Sequence, residues 1–207
     1  MLNLGCGRII LPGDKPAHHT LVRDDIYTYP EWVNVDKNMQ PGVDKVMDLF
    51  CYPWDLPSDS FSGALLSHVA EHIPHEIATN DSDLSQMQDG WFAFFSELWR
   101  VLEHGSIVHV LSPYGHSTDA ISDPTHTRYL TEFSLRHSMQ PNPDAPFEYN
   151  HKLHFDIVEN WTFRPMGIFA HEPYIAKGIP TEAFFLAKQT MNNVIREFYT
   201  QLVCIKE

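Results

Sequence analysis

The stretch Leu2-Asn3-Leu4-Gly5-Cys6-Gly7 decides the fold. Its first half reads as a short apolar strand, and two glycines one residue apart break that strand abruptly. Without side chains at Gly5 and Gly7 the chain can turn tightly and a ligand can approach the backbone amides. Residues 11–31 read as a loop, punctuated by Pro12, Gly13, Asp14, Pro16 and the pair His18-His19. Beyond it Trp32-Val33-Asn34-Val35 forms a second strand closed by Asp36, and Val43 to Met47 a third closed by Asp48. An acidic residue at the end of the second strand is placed to accept hydrogen bonds from a ribose diol. The competing reading of Gly-x-Gly alone is an ordinary strand–turn with glycines for packing. Ile10 stands where a nicotinamide fingerprint wants its third glycine, and no Gly-Lys-Ser/Thr phosphate loop is present.

Further along, Phe61 to Ser67 reads as a buried strand centred on Ala64-Leu65-Leu66. The spacing of Trp91, Phe94, Phe95, Leu98, Trp99 and Leu102 predicts a helix over 82–102, an aromatic stripe that belongs to the core. Asp81, Ser82 and Asp83 offer caps at its start and Gly105 sits past its end. Ile107 to Leu111 follows as a strand stopped by Pro113. Strand–helix–strand alternation predicts an α/β fold: a Rossmann-like, doubly wound, mostly parallel sheet in three layers, α/β/α. The second half is less regular. A short helix is expected from Thr131, as cap, to Met139. Pro141, Pro143 and Pro146 then break the chain, and two late strands at 161–169 and 198–206, joined through 180–190, suit an antiparallel C-terminal edge hairpin.

The 207 residues suit one domain, with enough chain to bury a core without staples. Fourteen Lys plus Arg against 27 Asp plus Glu leave a net charge of −13, so neutralising phosphates cannot drive nucleic-acid binding. Three cysteines, Cys6, Cys51 and Cys204, are too few and scattered for a disulfide scaffold or zinc knuckle. No stretch approaches a membrane span. The first residues carry neither a charged region nor an apolar run for export, so a soluble cytoplasmic protein is expected.

Leu2-Asn3-Leu4-Gly5-Cys6-Gly7 resembles motif I of the class I S-adenosylmethionine-dependent methyltransferases, and further segments resemble a bacterial and phage-type branch in the same order. These are Leu11-Pro12-Gly13, Val33-Asn34-Val35-Asp36, Met47-Asp48-Leu49, Asp55-Leu56-Pro57, Asp59-Ser60-Phe61 and Ser67-His68-Val69-Ala70-Glu71-His72. Glu97-Leu98-Trp99-Arg100-Val101-Leu102 with Gly105, and Asp123-Pro124-Thr125-His126-Thr127-Arg128, complete a match over about residues 1–135. Asn3, Ile9 and Gly63 depart from the residues many members carry there.

The resemblance implies transfer of a methyl group from S-adenosylmethionine to an oxygen or nitrogen nucleophile, leaving S-adenosylhomocysteine. Backbone groups around Gly5, Cys6 and Gly7 would hold the methionine end. Asp36 would take the ribose, Asp48 the adenine amino group and the Leu49 amide a ring nitrogen. Ser67 and His68 would lie near the methyl, with Asn3, Lys37 and His72 completing the cofactor set. His68 or His126 would be the general base, and Asp123, His126 and Arg128 would face the acceptor, a small molecule or sugar. The acceptor side would be residues 113–190 within the single domain 1–207, in a monomer or homodimer.

Thirteen histidines are many for this chain, and three readings compete with the methyltransferase. His68-Val69-Ala70-Glu71-His72 matches H-x-x-E-H, in which His68 and His72 on one helical face would bind zinc with Glu71 as base of a hydrolase. A non-catalytic S-adenosylmethionine-binding module would bind cofactor without turnover, and a nicotinamide oxidoreductase would bind NAD. His116, Asp119, Asp123 and His126 form a second conceivable cation set, although no resident metal is expected. Asp36 and Asp48 could also be solvated strand ends and Asp123 a turn cap, while His104, His137 and His171 read as surface or satisfied polar residues.

Overall fold

A computed structural model describes residues 1–12, 26–27, 29–78, 87–139, 153–167, 170 and 181–206. The strands are β1 (Leu2–Leu4), β2 (Val33–Asp36), β3 (Lys45–Val46), β4 (Phe61–Ser67), β5 (Glu76–Ala78), β6 (Met87–Asp89), β7 (Leu102–Pro113), β8 (Phe155–Pro165) and β9 (Ile195–Cys204). The helices are α1 (Gly90–Val101), α2 (Thr118–Ser122), α3 (Glu132–Met139) and α4 (Glu182–Thr190). Seven strands form one sheet in the order β3-β2-β1-β4-β7-β9-β8, and β5 pairs with β6 separately. β1, β2, β3, β4 and β7 run parallel, while β9 is antiparallel to both β7 and β8. The mostly parallel, Rossmann-like sheet with an antiparallel C-terminal pair is therefore the architecture present.

Alternation along the strands gives the sheet two apolar faces. On β4, Ala64 and Leu66 join a large cluster that takes in Phe94, Phe95 and Leu98 of α1, Leu135 of α3 and Phe184 of α4. Leu65 points the other way, packing with Leu11, Ile26, Tyr27, Trp32, Leu111 and Tyr199. Gly63 lets β4 and β7 approach: a Cβ there would stand 2.7 Å from the Ile107 carbonyl oxygen, beside the register shift between Phe61 and Gly63.

Several boundaries differ from expectation. The 82–102 helix begins only at Gly90, because Asp89 is the N-cap, its carboxylate accepting from the amides of Trp91 and Phe92. Residues 87–89 instead pair with 76–78, and Asp81, Ser82 and Asp83 lie outside the described residues. Gly105 belongs to β7, at φ +79°, because the chain enters the strand directly at Leu102. The late strands span 155–165 and 195–204, set by pairs such as Phe155 with Cys204 and Arg164 with Glu197. The late-helix expectation holds from Glu132 to Met139, and Lys188 of α4 salt-bridges Glu132. Pro141, Pro143 and Pro146 lie outside the described residues.

Glu97 and Arg100 of α1 hold the loop before β4. Trp54 N–H donates to Glu97 Oε2 at 2.8 Å, and the Arg100 guanidinium donates to the carbonyls of Trp54 and Leu56 at 2.9 Å each. Phe94 is fully buried on the same helix. Phe94→Ala is expected to lower unfolding stability by about 3–5 kcal/mol in urea titrations. Ile121→Ala, at a 61% exposed position, should change it by less than about 0.5 kcal/mol.

Candidate functional site

The sheet order reverses between β1 and β4, so the ends of these strands flank a crevice, the usual ligand position in an open α/β sheet. Gly5 and Gly7 follow β1 with φ of +63° and +52°, the left-handed region that favours glycine. A Cβ on Gly5 would lie 2.8 Å from Val69 Cγ2, whereas one on Gly7 would meet nothing within 4 Å. The turn is thus packed on one side and open on the other. Asp36 fixes it: Oδ2 accepts the Gly7 amide at 2.9 Å and Oδ1 the Asn38 amide at 2.8 Å. Gln40 donates to the Gly7 carbonyl.

A cavity of about 430 Å³ opens beside this turn, and its walls include Gly5, Asp36, Lys37, Asp48, Leu49, His68 and His72. Asn38, Met47, Phe50, Val69 and Thr125 also line it. Their neighbours in sequence were the signal for the first three, while Thr125 comes from the far side of the fold. Four members of the expected cofactor set stand apart from the lining. Asn3 is buried and turned inward, donating to the Ile9 carbonyl at 2.7 Å and to Asn34 Oδ1 at 2.9 Å. Cys6, Gly7 and Ser67 are not among the lining residues, and the amides of Cys6 and Gly7 donate to the Val35 carbonyl at 3.0 Å and to Asp36 Oδ2 at 2.9 Å. Asp48 Oδ1 also accepts the Phe50 amide at 2.9 Å, so it closes a turn while facing the cavity.

His68 stands at the end of β4 with φ +56°, and its amide continues the ladder to the Leu111 carbonyl at 2.9 Å. It also lines a second cavity, of about 590 Å³, with Asp119, Asp123, His126, Arg196 and Glu197. The two cavities meet at this one side chain. Its Nδ1 lies 3.3 Å from Glu71 Oε1 and its Nε2 3.5 Å from Glu197 Oε2. Burial alone would lower its pKa, but the hydrogen bonds and charges of Glu197 and Glu71 outweigh that and raise it to about 9. At neutral pH the ring is an imidazolium between two buried carboxylates, able to donate a proton rather than accept one. Arg164 Nη1, 2.6 Å from Glu197 Oε1, balances the second carboxylate.

The segment after α2 is strapped across a 3₁₀ turn at Ala70–His72. The amides of Thr127 and Arg128 both donate to the Glu71 carbonyl, at 2.9 and 3.0 Å, and Thr127 Oγ1 donates to Ile73 O at 2.6 Å. This brings the His126 ring against that of His72, with centroids 4.8 Å apart. Arg128 faces elsewhere: its guanidinium donates to the carbonyls of Ile73 and Pro74, stacks 5.3 Å over Trp91, and lines a third cavity. Asp123 combines both readings, with Oδ1 accepting the Thr125 amide at 2.8 Å and the residue lining the second cavity.

The helical H-x-x-E-H pair is not formed, because His68 has left-handed backbone and only residues 70–72 are helical. The set His116, Asp119, Asp123 and His126 is not assembled either. Asp119 is paired with Arg196 at 2.6 Å and the His116 ring packs against Tyr114. Of the remaining histidines, His109 bonds the Tyr199 hydroxyl at 2.7 Å and His104 accepts the Lys206 amide at 3.0 Å. The side chain of His137, and His171 altogether, lie outside the described residues.

No protein-family model and no curated protein matches this chain. Among solved structures, it is similar to an S-adenosylmethionine-dependent methyltransferase from Archaeoglobus fulgidus, with TM-score 0.55 and 18% identity over 98% of this chain and 84% of that one. S-adenosylmethionine-dependent methyltransferases from Mesorhizobium loti and Methanosarcina mazei also match. The first gives TM-score 0.46 and 14% identity over 98% of this chain and 89% of its own. The second gives 0.43 and 14% over 100% and 92%. The Archaeoglobus likeness shows that the chain shares the fold of that protein.

Two substitution and labelling outcomes follow from the turn. Gly5→Ala should destabilise the protein by at least about 1 kcal/mol, because it meets both a positive φ and Val69. Burial raises the Cys6 and Cys204 thiols to about 11, with the Asp36 charge adding to the rise at Cys6. Cys51 is exposed. At pH 8 only about one part in 10³ of a thiol with such a pKa is thiolate, so Ellman's reagent should modify Cys51 rapidly and the other two only on unfolding.

Proposed function

We propose that this chain is a single-domain methyltransferase of the class I, bacterial and phage-type branch, moving a methyl group from S-adenosylmethionine to an oxygen or nitrogen nucleophile. The observation that carries the reading is the meeting of two strand-end cavities at His68, one of them built on the glycine turn and Asp36. The residues present fit the cofactor: the space over Gly7 is open, and the Asp36 carboxylate keeps lone pairs beyond its two backbone bonds. The ordered segments from Leu2 to Arg128 support the same reading.

When bound, the cofactor supplies a methyl group activated on a sulfonium. Backbone groups around Gly5–Gly7 would hold its amino-acid end, Asp36 would orient the ribose, and Asp48 and Leu49 would take the adenine edge. Asp36 and Asp48 also favour a cationic ligand electrostatically. His68 forms the wall between donor and acceptor, and its own charge is offset by Glu71 and Glu197. The acceptor side, within residues 113–190, carries Asp123 and the imidazole of His126, which takes up a proton or a cation. Holding nucleophile and methyl carbon in line supplies most of the rate. A small polar acceptor such as a sugar suits a cavity of about 590 Å³ walled by Asp119, Asp123 and Arg196. Three free cysteines suit a reducing, cytoplasmic setting.

Calorimetry with S-adenosylhomocysteine tests this directly. Saturable binding is expected, weakened about 10-fold or more in Asp36→Asn, from which a charge-assisted acceptor has been removed. Folded protein that takes up no ligand at millimolar concentration removes the reading. Binding without turnover over a broad panel of hydroxyl and amine acceptors would leave the non-catalytic module in its place.

A further inference from the structure

We propose that Glu71, His72 and His126 form a binding site for one divalent transition-metal ion, placed between the two cavities. Each of the three offers a ligand atom, and these atoms all lie within 4.8 Å of one another. Donors about 2.1 Å from an ion in tetrahedral array stand about 3.4 Å apart. Closing the set takes a contraction of up to about 1.4 Å, shared by torsions of the half-buried His72 and of His126, whose side chain is 8% exposed.

The hydrogen bonds around the two rings select the metal-binding tautomer. His72 Nδ1 is 3.1 Å from the Thr125 carbonyl oxygen, and His126 Nδ1 is 2.8 Å from the Ala120 carbonyl oxygen. A carbonyl only accepts, so each Nδ1 carries the proton and donates it, and each Nε2 is left with its lone pair. Ligating histidines are held in this way, with the second nitrogen donating to a carbonyl that sets ring orientation. The third donor comes prepared as well. Glu71 is 1% exposed, its Oε2 accepts the Ser112 hydroxyl at 3.1 Å, and its Oε1, buried and facing only the ion-pair partner His68 Nδ1 at 3.3 Å, would exchange that cation for the metal. Among the described residues no other cluster of this kind is assembled.

Two imidazoles and one carboxylate suit Zn²⁺, Co²⁺ or Fe²⁺ better than Mg²⁺ or Ca²⁺, which prefer all-oxygen shells. Three protein donors leave at least one position open. His72 borders the first cavity and His126 the second, so that position lies where donor and acceptor meet. Asp123 Oδ2 lies 3.8 Å from His126 Nε2 on the side of the second cavity. What the ion would do there rests on the methyl-transfer reading, and it names the acceptor as a hydroxyl compound. Bound through its oxygen, the hydroxyl loses its proton to solvent. That oxygen then forms the new bond to the methyl carbon as the carbon–sulfur bond breaks, its electron pair staying on sulfur.

The test uses the full chain, free of any histidine tag, stripped with chelator and titrated with CoCl₂ while visible absorption and heat are recorded. One equivalent with a d–d band of low coordination number is expected, and His126→Ala and Glu71→Gln should each weaken it by about 100-fold or more, with His154→Ala unchanged. Cobalt should also broaden the ring resonances of His72 and His126 in the wild-type NMR spectrum, which decides the matter if a variant fails to fold. No stoichiometric cobalt, or cobalt that leaves those two rings unaffected, overturns the site and leaves His126 as a proton acceptor. S-adenosylhomocysteine affinity measured on the same stripped protein separates the two claims. Loss of that affinity alone sinks the methyl-transfer reading, whereas loss of cobalt alone sinks the metal site.

Discussion

Burial of the Glu71 carboxylate constrains everything at the strand ends. An ionised group that is 1% exposed costs several kcal/mol unless neighbours replace the water it has lost. Ser112 from β7 and His68 from the end of β4 do so through its side chain, while its carbonyl receives the amides of Thr127 and Arg128. One residue thereby fastens two strands and the strap that carries His126. The second carboxylate, Glu197, enters from the antiparallel strand β9 because its register sets it opposite Pro113 of β7 and Arg164 of β8. Two Glu, one Arg and one protonated His leave the group neutral overall, which offsets the water lost by the two buried carboxylates.

Much of the sheet was legible because its signals are local. A strand as short as Leu2–Leu4 announces itself through the glycines that end it, and Asp36 through the apolar run before it. The α1 stripe was legible as well, since burying one helical face demands that period. Its start was not. Capping chemistry at 81–83 looks the same in sequence as that at Asp89, and only the pairing of 76–78 with 87–89 decides between them. The late strands shifted for a related reason. Antiparallel register depends on partners far away, and buried polar residues such as Thr200 and Gln201 blur the apolar pattern.

The site divides along the same line. Residues at the ends of neighbouring parallel strands, such as Gly5 and Asp36, or adjacent in one turn, such as Asp48 and Leu49, could be grouped from motif order alone. The inward turn of Asn3 could not, because it depends on Asn34, which also binds the amide and carbonyl of Leu11 at 2.9 and 2.7 Å. Nor could the fate of Arg128, whose motif neighbours Asp123 and His126 face one cavity while its guanidinium serves the carbonyls of another turn. In sequence Glu71 takes a role as the base of the H-x-x-E-H match. Its role as the hub of three elements needed the Ser112 and Thr127 contacts, from residues more than forty positions away.

The placement of β9 has a consequence for how the sheet assembles. It follows β8 in the chain yet lies between β8 and β7, so neither neighbour has a partner on that side until it arrives. Contacts such as His109 with Tyr199 join residues 90 positions apart. Such closures are slow, since the entropy of a long loop is lost before the ladder forms. A nascent or partly folded chain therefore presents the bare edge of β7, with Ile107, Val108 and Val110, and an unpaired β8 carrying Phe155, Trp161 and Phe163, and is most exposed to edge-to-edge aggregation at that stage. Insertion of one strand completes the sheet and brings Glu197 up to His68, so the vulnerable interval ends in the same event that finishes the strand-end pocket.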